Sequence, residues 1–141
     1  VQRLNATMPA GIRVLESYES NYKIKNLAKL RCKITLEYDN GVPANAAEEI
    51  SALLHRDSLM VEKKSKNGPV QQDIIPLIRA IAVCGAEETK LTLEALVCCQ
   101  NPSLNPMQIV AAIETYFPEC KPDHAVCRRM EIYDINEKVF R

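Results

Sequence analysis

Apolar and polar residues alternate most regularly between residues 27 and 38. Leu30, Cys32, Ile34 and Leu36 fall on one side, and Lys29, Arg31, Lys33, Thr35 and Glu37 on the other. This period of two predicts a half-buried strand. Asp39-Asn40-Gly41 ends it as a turn. The period then lengthens over residues 44–56, which are rich in Ala, Glu and Leu. Ala46, Ile50, Leu53 and Leu54 form one stripe of a predicted helix, Pro43 precedes it, and Glu48 and Glu49 sit near its positive end.

A second strand is predicted over 59–63, followed by a polar turn with an Asn67-Gly68 step, the signal of a hairpin. The returning arm, 70–83, is apolar but contains Pro76. Proline cannot donate to a ladder, so this arm is expected to be an edge, bent or partly irregular, with a short helix near Pro76 as the alternative. Alternation resumes over 89–99, with Leu91, Leu93, Ala95 and Val97 inward and Lys90, Thr92 and Glu94 outward. After a loop at 101–103, Asn105 and Pro106 read as the start of a helix over 106–116 that turns Ile109, Val110 and Ile113 inward and stops at Pro118. A last strand is expected over 127–135, with Met130 and Ile132 on one face.

This order matches the split β-α-β repeat of a ferredoxin-like α/β sandwich, an α+β fold with an extra hairpin arm. An α+β sheet with 70–83 as a full central strand is the alternative. Upstream, residues 1–8 read as the last turns of a helix, with Val1, Leu4 and Met8 on one stripe. Pro9-Ala10-Gly11 breaks it, and a strand-like stretch follows at 12–16. Such a stripe needs a cover. Residues 1–25 are therefore expected to be the tail of a truncated N-terminal domain or a linker strand, and 26–141 the ferredoxin-like domain.

Eighteen Lys and Arg balance eighteen Asp and Glu, so no global charge argues for nucleic acid or an anionic membrane. The balance is uneven along the chain: residues 1–35 hold seven basic and two acidic residues, whereas 81–119 hold one basic and five acidic. No apolar run approaches the ~20 residues of a membrane span, and no membrane partner is expected. The composition is not that of a small disulfide-stapled scaffold, so the six cysteines are read as free thiols in the cytoplasm. Cys120, His124 and Cys127 make a C-x3-H-x2-C pattern. Zinc sites usually pair two close ligand doublets, and Pro122 interrupts this one, so no metal is expected and these three remain weak candidates.

In the expected fold one sheet face stays uncovered. It is predicted to show Lys29, Arg31 and Lys33 beside Arg129, Glu131 and Tyr133, and beside Lys90, Thr92 and Glu94. RNA-recognition modules use such a face, stacking bases on exposed aromatics. Here only Tyr133 is placed for stacking. The candidate binding face is therefore Lys29, Arg31, Lys33, Arg129 and Tyr133, set against the plainer reading of a solvated strand face kept charged against aggregation. Neither His55 nor His124 has a triad pattern beside it, and the four glycines are too dispersed for a phosphate loop. The chain is not expected to be an enzyme on its own, and no cofactor is expected.

Several passages, in order, add a resemblance. Arg3-Leu4-Asn5, then Pro9-Ala10-Gly11-Ile12-Arg13-Val14-Leu15, resemble an "RLN-x-x-x-P-x-G-I-x-V-L" passage of the bacterial radical SAM-linked proteins, the domain of unknown function 2344. Asp73-Ile74-Ile75-Pro76 is similar to that family's "D-I-x-P" segment, Ser103-Leu104-Asn105-Pro106 to its "S-L-x-P" helix start, and Arg129-Met130-Glu131-Ile132-Tyr133 to its closing "R-x-x-x-Y". Ile75 and Asn105 stand where arginine is common. The resemblance implies a C-terminal portion of a longer protein, encoded beside or fused to a radical S-adenosylmethionine enzyme. That implies an accessory or substrate-presenting domain whose partner enzyme supplies the chemistry. An RNA-binding module in an RNA modification or ribosome-related pathway is the second expectation.

Overall fold

The computed structural model describes residues 1–21, 23–100 and 103–140. It is an α+β fold built from α1 (Gln2–Thr7), β1 (Leu27–Glu37), α2 (Ala46–Leu54), β2 (Met60–Ser65), β3 (Gly68–Asp73), β4 (Ile78–Ala86), β5 (Lys90–Cys98), α3 (Met107–Tyr116) and β6 (His124–Asp134). Four strands form one antiparallel sheet in the order β4-β5-β1-β6, and β2 with β3 makes a separate hairpin.

One cluster forms the core. Cys32, Ile34 and Leu36 of β1 join Leu91, Leu93, Ala95 and Val97 of β5, and the stripes of α2 (Ala46, Ile50, Leu53, Leu54) and α3 (Ile109, Val110, Ala112, Ile113) pack into the same cluster. Each buried aliphatic side chain stabilises the fold by about 1.5–3 kcal/mol before the entropy of ordering it. The opposite parity of β1 and β5 carries the charges, so both helices belong to one side of the sheet. The predicted strand 27–38, helix 44–56, strand 89–99 and helix 106–116 are present within a residue or two. The start of α3 is held by Asn105, whose Oδ1 accepts from the Met107 amide at 3.0 Å. Of the loop expected at 101–103, Asn101 and Pro102 lie outside the described residues.

Three expectations are corrected. The strand at 59–63 does not enter the main sheet. It pairs as β2 with β3, and the sheet's second strand in chain order is β4. The alternative of 70–83 as a full central strand is overturned as well, whereas the irregularity expected at Pro76 is present: a single 3-10 turn at Ile75–Leu77 separates β3 from β4, and β4 is an edge of the sheet. That turn is fixed by Asp73, whose Oδ1 accepts from the Leu59 amide at 3.0 Å and the Ile75 amide at 3.1 Å, and whose Oδ2 accepts from the Ser58 hydroxyl. These bonds hold the Asp73 carboxyl below its ordinary pKa, the Leu59 amide contributing most. The last strand begins at His124, before the predicted start, and Met130 is exposed.

Upstream, α1 is present but residues 12–16 form no strand. The Asn5 side chain takes the place of a strand partner: its Nδ2 donates to the Val14 carbonyl at 2.9 Å, and its Oδ1 accepts from the Val14 amide at 2.6 Å. Gly11, at φ 89°, supplies the reversal between them. No residue from 1 to 21 is buried.

Candidate functional site

The uncovered face of the sheet is centred on β1. Period-two alternation brings Lys29, Arg31, Lys33, Thr35 and Glu37 to this face, while Cys32, Ile34 and Leu36 are fully buried behind it. On the β5 side Arg31 lies opposite Leu96, Lys33 opposite Glu94, and Glu37 opposite Lys90. On the β6 side Lys29 lies opposite Tyr133 and Arg31 opposite Glu131.

The register then slips between Arg31 and Cys32. Met130 is the extra residue of a β-bulge, so Arg129 falls opposite Cys32 and Arg128 opposite Lys33. The expectation that Arg129 shares the face of Lys33 is thus corrected. Its register position belongs to the side of Cys32, and Arg128 stands beside Lys33 instead. Lys29, Arg31, Lys33 and Tyr133 do come together on the face. Arg128, missed by the sequence reading, completes it.

The face has mixed sign. Arg31 Nη1 lies 3.6 Å from Glu94 Oε1, with both side chains a little under half exposed. Lys29 pairs with Glu137 of the turn after β6, and this hydrogen bond holds the Glu137 carboxyl below its ordinary pKa. The Glu137 turn is itself built by Asp134, which is 4% exposed and accepts the amides of Asn136 at 2.8 Å and Lys138 at 3.0 Å through Oδ1. Lys90 and Glu37 sit 3.7 Å apart. Among the described residues no ion pair involves Lys33 or Arg128. Beside the Arg31–Glu94 pair the face dips into a shallow hollow of about 400 Å³, floored by Ala80, Ala82 and Leu96 and bordered by Tyr133 and Cys84.

The zinc candidates do not converge. Cys120 is fully buried and its Sγ donates to Glu49 Oε2 at 3.3 Å. Burial pushes its thiol up to about 11, with Glu49 adding to the shift. Cys127 hydrogen-bonds the buried Cys32, whose thiol is pushed up to about 12, chiefly by burial. His124 lies opposite Glu37, three positions before Cys127 and so on the other parity of the strand. Among the described residues no group of three or more His, Cys, Asp or Glu side chains is arranged to hold a metal ion. Among them, too, no helix is long and apolar enough to cross a membrane.

No curated protein and no solved structure matches the chain. A family model does match, over residues 1–106, a span that takes in the Asn5–Val14 hook, the basic stripe of β1, the hairpin and the Asp73 turn. The chain belongs to that family, DUF2344, described as uncharacterised proteins conserved in bacteria.

Proposed function

We propose that this protein is an accessory, substrate-presenting domain working with a radical S-adenosylmethionine enzyme encoded beside it or fused to it, and that the uncovered sheet face is the surface it presents. The resemblance of its ordered motifs to the radical SAM-linked proteins supports the partner. The strand order β4-β5-β1-β6, with α2 and α3 as the crossovers, supports a ferredoxin-like sandwich carrying the β2–β3 hairpin as an insertion. In this reading the enzyme's cofactor does the chemistry and this chain binds and orients.

The observation that carries the reading is the pairing of charges on the face. Arg31 is matched by Glu94 and Lys29 by Glu137, beside an apolar hollow. RNA phosphates would have to displace both carboxylates. A protein surface of mixed sign can instead interleave with them, and an anchoring side chain can fill the hollow. Titration calorimetry of the purified enzyme with this protein, alongside turnover, is the test. Binding is expected to weaken at least tenfold in Arg31→Glu, with the fold retained. Absence of association together with unchanged turnover refutes the reading. The side-by-side Lys33 and Arg128, which take part in no ion pair among the described residues, favour RNA as the second reading. Anisotropy with structured RNA that falls steeply with salt, and that is lost in Lys33→Glu, transfers the face to RNA.

A further inference from the structure

The two edges of the sheet are protected very differently. β6 carries His124, Arg128 and Arg129 and a bulge, and the chain after it folds back so that the Phe140 amide donates to the Ile132 carbonyl at 2.8 Å. These are the ordinary defences of a strand edge. β4 reads Ile78-Arg79-Ala80-Ile81-Ala82-Val83-Cys84-Gly85-Ala86, with one charge and no proline. It is an edge in the strand order, paired only with β5.

The backbone of this edge has a definite pattern. The Thr89 carbonyl accepts from the Tyr38 amide at 2.8 Å, so odd-numbered residues of β5 turn their main chain toward β1. The Lys90 carbonyl accepts from the Glu87 amide at 2.7 Å, so even-numbered residues turn theirs toward β4. Ala80 and Ala82, opposite Leu96 and Glu94, therefore direct their main chain to β5. Ile81 and Val83, opposite Ala95 and Leu93, direct theirs outward.

We propose that β4 pairs antiparallel with β4 of a second copy of this chain about a two-fold axis at Ala82, joining the two sheets into one. In that register the outward groups of Ile81 meet those of Val83 in the other copy, and the reverse, as reciprocal hydrogen-bonded pairs. The irregularities leave this register free. The extra residues of β4, Arg79 and Cys84, lie outside the run Ala80–Val83, which is in regular register with β5 and is the part this pairing uses. Charge agrees as well. The pairing brings Arg79 to the end of the other copy's strand that leads into Glu87 and Glu88, and among the described residues none of these three has an ion pair. On the helix side, a hollow of about 640 Å³ lined by Ala47, Glu48, Ser51, Ala52 and His55 reaches Val83, leaving open space beside the strand.

Light scattering and sedimentation equilibrium on the purified protein test this directly. The expected mass is twice the 15.8 kDa of the chain. Ala82→Lys puts two ammonium groups side by side at the axis and is expected to raise the dissociation constant at least tenfold, with an unchanged circular dichroism spectrum. A second readout uses the Cα separation of a non-hydrogen-bonded pair, about 4.5 Å, which a disulfide can span. In Ala82→Cys combined with Cys84→Ser, oxidised glutathione is expected to link 82 to 82 between copies, two thiols losing their protons as one glutathione disulfide is reduced to two thiols. Val126→Cys with Cys84→Ser, at an exposed position on β6, is the control. A monomer at about 100 µM, an Ala82→Lys dimer as tight as the parent, or linkage at 82 no faster than at 126 overturns the proposal.

Discussion

Tyr38 closes β1 at the corner where the last strand begins, and replacing it with Phe isolates one buried hydrogen bond. The ring is 4% exposed, and its hydroxyl donates to the Cys120 carbonyl at 2.7 Å across 82 residues of chain. Phenylalanine keeps the ring and its packing. What is lost is the bond, and what remains is a buried carbonyl without that donor, so Tyr38→Phe is expected to cost about 1–3 kcal/mol. With a urea dependence of about 1–3 kcal/mol per M for a small domain, the midpoint falls by roughly 1 M at pH 7 while the slope is unchanged. The pH profile gives a second check. Burial, reinforced by Cys120 and Asp123, pushes the Tyr38 hydroxyl from 10.0 up to about 12. The unfolded chain releases this proton first. The contribution to stability is therefore complete below pH 10 and is lost as pH rises toward 12. Phenylalanine has no such proton, so the gap between parent and variant narrows across that window. A loss below about 0.3 kcal/mol at pH 7, or a gap that widens above pH 10, refutes this reasoning.

Other perturbations probe the hook, the corner and the bulge. Asn5→Ala removes both bonds to Val14, and amide hydrogen exchange at Val14 is expected to rise at least tenfold while exchange in β1 and β5 is unchanged. Gly41 sits at φ 93°, and a methyl group there would lie 3.4 Å from the Glu88 carbonyl, so Gly41→Ala is expected to lower stability by about 1 kcal/mol or more in thermal unfolding. Deleting Met130 removes the extra residue of the bulge while keeping Glu131 opposite Arg31 and Arg129 opposite Cys32. The shortened protein is expected to fold, with a melting temperature within a few degrees of the parent, and its unfolding at room temperature would refute the register.

The parts of the fold legible in the sequence are those with an unbroken period. β1 and β5 alternate without interruption through Leu36 and Val97, and α2 and α3 carry clean stripes. β4 was obscured because Arg79 and Cys84 each add a residue, which resets the alternation within a nine-residue strand, and because Pro76 lies just upstream. The short apolar stretch at 59–63 offered itself as the sheet strand instead. The same physics limited the site. Lys29, Arg31 and Lys33 follow from alternation in β1, but the bulge at Met130 reverses the phase of everything before it in β6, which exchanged Arg128 for Arg129. The neutralising partner Glu137 was not legible either, since it reaches Lys29 through the turn that the buried Asp134 builds.

The strand at the middle of the sheet is the first one made, and both its neighbours come late. Leu27 waits for Asp134, and Lys29 waits for Cys98. A growing chain on the ribosome therefore carries the apolar side of β1 with no strand on either flank until β5 has been made. Folding must close these long loops before any contact rewards it, which predicts a slow, topology-limited rate and a long interval in which chaperones can hold the nascent chain.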